Sequence, residues 1–581
     1  MFNSENLTLR WTRMMDRAHA RRAALARPAT AFVSQPEPRT IGSFARGRQL
    51  SAGNFVFAGI LVQQPDTSIW DLPEPDPSFT EELHGFVWLD DLAAAGDMPA
   101  RQRAQDWLSG WIERFGNGKG PGWTPELTGR RLIRWINHAL FVMLGRNDAD
   151  VTGPFYRSLA QQTIFLGRRW RASRPGLARF EALTGLIYAG LSLEGMEAHV
   201  DPAVRALAKE CDSQIGVEGG LPTRNPEDLL EVFTLLNWAA VALAESDRAP
   251  SREHWRAIER IAPTLRTLRH SDGGLARFHG GGRGLEGRLD NALASSGIKT
   301  RQPDGLSMGY ARLSAGRTSV IIDAAPPPAG RASANAHAST LAFELTSGRR
   351  PLIVNCGSGA SFGRDWRRAG RATPSHSTLV LAGRSSARLG TGSMSKEWLT
   401  MAPLNVPVEM SQAPDGLRFE GAHDGYVETH GLTHARKIEM TFDGRGIAGE
   451  DMLIAIDDDH RRQFDKAMGA RAQQGIPFEI RFHLHPDIDA AVDLGGTAVS
   501  MALKSGEMWI FRVGGQLNLS LDASVYLEKT RLKPRATKQI VLSGVAMEYA
   551  TRTRWSLAKA QDTPISIRDV KQDALEPVAD D

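Results

Sequence analysis

The spacing of apolar residues changes period once along the 581-residue chain, and that change restricts the fold more than any other feature. From about residue 95 to 270, apolar side chains recur three and four positions apart, in RQRAQDWLSGWIERF, TGRRLIRWINHALFVML, GPFYRSLAQQTIFLGRRW, ALTGLIYAGLSLEG, PEDLLEVFTLLNWAAVAL and REHWRAIERIAPTLRTL. These are amphipathic helices in succession. Short loops rich in Gly, Pro, Asn and Asp join them, which predicts antiparallel helical hairpins closing into a bundle, a solenoid or a toroid. From about Gly305 to Leu557 the pattern becomes short alternating runs such as TSVIIDAA, STLAFEL, PLIVNCG, HSTLVLAG, RKIEMTFD, FEIRFHLHP and KQIVLSGV. More than ten such runs without helices between them predict an antiparallel sandwich or stacked sheets.

These signals divide the chain into a basic segment (1–50), a helical domain (51–270), a Gly-rich connection (271–304), a β domain (305–557) and an acidic tail (558–581) expected to fray. A cleft between the two domains is the default place to look for a ligand. Composition removes several functions. With 70 Lys+Arg against 66 Asp+Glu the net charge is +4, too dilute a field to point to nucleic acid. Cys211 and Cys356 lie far apart with no CxxC, which excludes a disulfide framework and a thiolate zinc site. No run of about 18 apolar residues occurs, so no spanning helix is expected.

Nine arginines crowd the first 50 residues, where AALARPATAF is too broken to serve as the apolar core of an export signal. No signal peptide is read, and the expected compartment is the cytoplasm. The basic segment reads either as a solvated helix or as an amphipathic helix on an anionic membrane surface.

The stretch NAHASTLAFELTSGRRPLIVNCGSG followed by RATPSHSTLVLAG resembles the opening of the β domain of heparinase II/III-like proteins, with their HxHxD segment, PLIVD-G strand and HNT strand. SIWDLPEPDPSFTEELHGFVWLDDL and WTPELTGRRLIRWI are similar to that family's N-terminal region, and HDGY, THARKI, FHLHP and PRATKQIVLSG to its later strands. The resemblance implies an incomplete α/α toroid followed by an antiparallel β-sandwich. It also implies polysaccharide lyase chemistry on an acidic polysaccharide or oligosaccharide, outside the cytoplasm in the periplasm or cell envelope. That location conflicts with the missing signal.

Elimination from a uronate needs a group to neutralise the carboxylate, a base for the C5 proton and an acid for the leaving oxygen. The family's toroid Asn-His pair falls on Leu177 and Ala178, and its Tyr-His pair on Asp228 and Leu229. Leu177, Ala178 and Leu229 carry no proton, and an ionised Asp228 would repel a uronate. In the β domain the HxHxD positions are Asn335, His337 and Ser339, the following Asp is Asn355, and the later His is kept as His376. The resemblance implies zinc on His337, Asn355 and His376. The alternative is that both imidazoles hydrogen-bond within the sheet face.

Candidate acid-base residues are therefore His337, Tyr310, Tyr426, His434 and Arg436, with His483 and His485 as a further same-face pair. Candidate substrate contacts are Trp123, in a GPGW loop, with Arg131, Arg134 and Asn335. Two functions stay open at this point. One is a lyase with a rearranged catalytic set. The other is a glycan-binding or polysaccharide-handling protein of the same fold without catalysis.

Overall fold

The computed structural model describes residues 4–563 apart from 27–28, 35–36, 66, 146–148, 301–304, 393–394 and 516; the acidic tail from 564 onward lies outside the described residues. Capping sets the helix boundaries. Asp97 caps Met98–Phe115, Thr124 caps Pro125–Asn137, and Asn225 caps Pro226–Glu245 by accepting from the Glu227 and Asp228 amides. Each of these helices opens with Pro in its first turn, where the missing N–H costs no hydrogen bond. Helix Pro125–Asn137 packs on Leu177–Ser192 so closely that a Cβ on Gly185 would lie 2.4 Å from the Gly129 Cα. Beside that contact Arg130 grips Glu181 through two hydrogen bonds of 2.9 and 3.0 Å.

The helical ring shares one apolar core, rich in Trp, that extends to Met308, Tyr310 and Ile321 at the start of the β domain. Two antiparallel eight-stranded layers follow. In order across the first sheet lie Val408–Ala413, Gly416–Tyr426, Leu432–Thr441, Gly446–Ile454, Ala550–Gln561, Met508–Gly514, Ala498–Ala502 and Asp489–Asp493. Across the second lie Asn518–Tyr526, Arg535–Ala546, Ile476–Leu484, Arg350–Val354, Phe343–Ser347, Thr318–Asp323 and Tyr310–Ala315, with Leu379–Leu381 pairing to Ile476–Leu484. Their facing sides form a second core around Phe343, Phe482, Phe511 and Trp555. The architecture is an α/α toroid followed by an antiparallel β-sandwich.

Several elements depart from the sequence reading. A hairpin, Asn54–Phe57 with Ile60–Gln63, sits within the helical domain. A helix, Arg288–Ser296, lies in the connection, and another, Asp458–Gly469, interrupts the β domain. Half of the last helix is charged and it buries only Phe464 and Met468, so its apolar period is too sparse to read. At the N-terminus, Ser4–Ala23 buries Asp16, Ala20 and Ala23, with Asp16 paired to Arg169 at 2.7 Å, and turns Trp11 and Met14 outward.

Arg224 ties the toroid to the sandwich. Arg224, in the left-handed region at φ 50°, donates to the carbonyls of Met308, Gly309, Ala325 and Pro326 and to Asp323 Oδ1 at 2.6 Å. In return the Tyr310 hydroxyl donates to the Arg224 carbonyl at 2.6 Å.

Candidate functional site

The His337 and His376 imidazoles meet at the toroid–sandwich junction, both almost fully buried. Their tautomers follow from their partners. The Ala372 carbonyl only accepts, so His376 carries its proton on Nδ1 (2.9 Å), leaving Nε2 to accept from His337 Nδ1 at 3.0 Å. His337 Nε2 in turn accepts the Gly280 amide at 3.0 Å, and the His337 amide donates to His279 Nδ1 at 3.1 Å. Burial holds the pKa of His279 and His337 well below the ordinary histidine value and that of His376 at about 4. The chain is neutral and its lone pairs are occupied.

That geometry tests the zinc expectation. A metal on His337 Nδ1 would force the ring proton onto Nε2, against the Gly280 N–H. The third donor, Asn355, already accepts the Ser377 amide on Oδ1 at 3.0 Å and directs Nδ2 to Glu344 Oε1 at 3.4 Å. An amide also brings no charge to balance a dication. The donor set does not fit zinc, and no group of three His, Cys, Asp or Glu suited to a metal occurs among the described residues. Ser339, at the motif's Asp position, donates to Asp323 Oδ2 at 2.6 Å.

His434 and Arg436 do share one strand face, but the face points between the sheets. Both are essentially unexposed. His434 Nε2 lies 2.7 Å from Asp451 Oδ1, Arg436 donates to both Asp451 oxygens at 2.8 and 3.2 Å, and the Trp555 indole donates to Oδ2 at 2.9 Å. Arg436 also reaches the Leu341 and Ser377 carbonyls at 2.8 and 2.9 Å. His423 completes the chain, accepting from Gly425 and meeting His434 at 3.2 Å. Although burial alone would raise it, the Asp451 pKa is held below the carboxylate range by Arg436 and His434. This network staples the sandwich and faces no ligand.

The remaining candidates are also committed. Tyr310 and Tyr426 are buried and donate to the main chain at Arg224 and Leu379, and desolvation raises both phenol pKa values. Neither is placed to take a substrate proton. Trp123 packs on Trp111 and Phe165 and donates to the Phe115 carbonyl, so it offers no stacking face. Arg131 lies under the Trp111 ring, 4.0 Å from its centroid, and is satisfied by Gln162, the His84 and Gly122 carbonyls and Thr128. Burial lowers its pKa to about 9. Arg134 is buried against Asp90, His483 donates to the Pro374 carbonyl at 2.9 Å, and His485 packs on Tyr526. Of the proposed contacts only Asn335 is exposed, and its Oδ1 accepts from Arg367 at 3.1 Å.

On the toroid face, the family's Tyr-His positions form an acidic edge. Leu229 is buried, and the Asp228 carboxyl accepts from Thr223 at 3.4 Å. Its pKa is pushed up to about 7 by burial, with neighbouring Glu227 and Glu231 adding to the rise. Lys529 from the sandwich reaches across to Glu227. Sequence reading missed His279, Arg224, Asp323, Glu344, His423 and Asp451. Of these, Glu344 sits in STLAFEL, Asp323 in TSVIIDAA and His423 in HDGY, stretches that the sequence singles out without marking those side chains.

Residues 297–556 match the model described as Heparinase II/III-like, C-terminal. FtsZ-localized protein C of Caulobacter vibrioides is 30% identical over 555 residues, 94% of this chain and 92% of that protein. The chain belongs to the heparinase II/III-like family. Among solved structures, heparinase III aligns with a TM-score of 0.66 at 13% identity, covering 94% of this chain and 89% of the other. A heparan sulfate lyase HepC mutant from Pedobacter heparinus aligns with a TM-score of 0.58 at 14% identity, covering 94% and 88%. At those identities the likeness is one of fold. This heparinase II/III-like protein thus keeps the polysaccharide lyase architecture, and none of its described helices is long and apolar enough to cross a membrane.

Proposed function

We propose that this protein is a non-catalytic member of the heparinase II/III-like family, acting by binding rather than by elimination, without zinc, and in the cytoplasm. One observation carries the reading: each acid-base candidate in the sandwich is buried with its polar atoms bonded inside the protein, while the facing toroid edge carries Glu227 and Asp228. Glu227, already paired to Lys529, and Asp228, raised toward its neutral form, bring no cation to neutralise a bound uronate. The relative named for FtsZ, 30% identical along nearly the whole chain, supports a site of action at FtsZ assemblies.

Two measurements test this. The full chain incubated with a panel of uronate polymers should give no rise in ultraviolet absorbance from unsaturated ends; a rise that is lost in His337→Gln overturns the reading. A fluorescent fusion should follow FtsZ in cells, and a diffuse or envelope-wide distribution removes the FtsZ assignment.

A further inference from the structure

We propose that the outward face of the helix Ser4–Ala23 docks on an anionic membrane surface. The inner side of the helix is fixed to the ring: Asp16 pairs with Arg169 at 2.7 Å, and Gln161 donates to the Ala20 carbonyl at 3.0 Å. The outer side carries apolar side chains that the fold leaves in water. Trp11, Met14 and, in the turn past the helix end, Leu25 are 61, 51 and 87% exposed. With Ala18 between them, their spacings of three, four and seven residues set them on one stripe. An exposed apolar stripe rimmed by polar residues marks an interaction surface.

Charge decides the occupant. Arg10, Arg13, Arg17 and Arg21, three or four apart, run along one flank of the stripe and Arg22 along the other, all exposed. No hydrogen bond or ion pair joins any of the five to another described residue. Between residues 10 and 25 the one acid is Asp16, which is buried, so the face bears five positive charges and no negative one. The basic field continues onto the ring. Arg168, Arg171 and Arg174 stand exposed at and beyond the end of the helix Ala149–Arg169, and burial together with the charges of Arg169, Arg168 and Arg22 lowers the His19 pKa. A lipid headgroup layer meets both demands. Its phosphates pair with guanidinium groups on long apolar stems, and its acyl boundary takes the indole, the thioether and the leucine. An acidic protein surface would answer the charge and leave the stripe in water. This docking is independent of whether the protein acts at FtsZ assemblies.

The test is sedimentation of the full chain with vesicles of phosphatidylcholine alone and of phosphatidylcholine with about one phosphatidylglycerol in four lipids. The protein should pellet with the anionic vesicles, be released as salt is raised, and stay in solution with the neutral ones. Arg13→Glu with Arg17→Glu should weaken binding about tenfold or more, because each reversed charge faces the anionic surface. Trp11→Ser with Met14→Ser removes the apolar anchors at unchanged charge and should weaken it as far. Arg13→Lys with Arg17→Lys keeps the charge and should keep the binding. No pelleting with anionic vesicles, equal pelleting with neutral ones, binding unchanged in either weakening pair, or equal loss in the lysine pair overturns the proposal. Polyglutamate bound in place of the vesicles overturns the membrane as occupant.

Discussion

Asp451→Asn separates a structural from a catalytic reading of His434 and Arg436. The substitution removes the carboxylate paired with Arg436 and turns an amide N–H₂ toward a site where His434, Arg436 and Trp555 all donate to Asp451. Breaking a fully buried ion pair on one side costs about 3–5 kcal/mol, because the remaining charge stays desolvated. For a domain of this size that is on the order of 10 °C in melting temperature. Urea denaturation followed by tryptophan fluorescence, with Trp555 in the network, reads the loss, and calorimetry assigns it to the sandwich. Arg436→Met should behave differently. It leaves Asp451 with His434, which can then take a proton and become the counter-cation. With Asp451 beside it and Arg436 gone, His434 should have a raised folded pKa. The stabilisation is then present below the unfolded pKa of about 6.5 and lost as pH rises through the folded value. The native protein should show no such gain, because burial lowers the His434 pKa there. A loss below about 1 kcal/mol in Asp451→Asn would refute the network as a staple.

Arg224→Met removes five hydrogen bonds across the domain junction, including the buried pair with Asp323, and should split the calorimetric transition in two; one unchanged transition contradicts it. Gly185→Ala should cost about 1–3 kcal/mol or more in urea denaturation, because its Cβ meets backbone and not a movable side chain. The buried rings of His84, His254, His483 and His485, with pKa values lowered to about 3 or 4, bind protons only when unfolded. Stability should therefore fall from pH 7.5 to 5.5 by about 1.4 kcal/mol for each ring. Asp228 and Asp91, raised to about 7 and 6, act in the opposite sense. These six groups alone leave a fall of roughly 3 kcal/mol, to which the other buried neutral rings, His279, His337, His376, His423 and His430, add; a urea midpoint that rises toward pH 5.5 contradicts the sign. Chelation should leave the melting temperature unchanged, and a drop restored by zinc would show that the His337–His376 pair does bind the metal.

Both layers of the fold were legible because each depends on many residues in register. The helices announce themselves through three- and four-residue spacing and through caps such as Thr124 and Asn225, and the strands through alternation in stretches such as RKIEMTFD. The site was far less legible, since alternation puts His434 and Arg436 on one side of a strand without saying whether that side meets water or the opposite sheet. In a sandwich it meets the sheet. Trp123 misled for a related reason: a Gly-Pro-Gly loop suggests exposure, yet it turns the indole into the aromatic cluster of the ring. Arg224 and Asp451 carry no local pattern because their partners lie 99 and 15 residues away.

The substitutions at the family's motif positions obey a charge argument. Two carboxylates beside two neutral imidazoles, all desolvated, are tolerable when a dication sits among them. Remove the cation and each becomes an uncompensated buried charge. Asn355 and Ser339 occupy those two positions here with the charge gone and hydrogen bonding kept, one to the Ser377 amide and Glu344, the other to Asp323. His337 remains useful without a metal, since its ring and amide fasten Gly280 and His279 of the connection to the sheet. Asp323 keeps its own charge because Arg224 supplies the cation from the toroid side. What survives of the motif is the part that holds the two domains together.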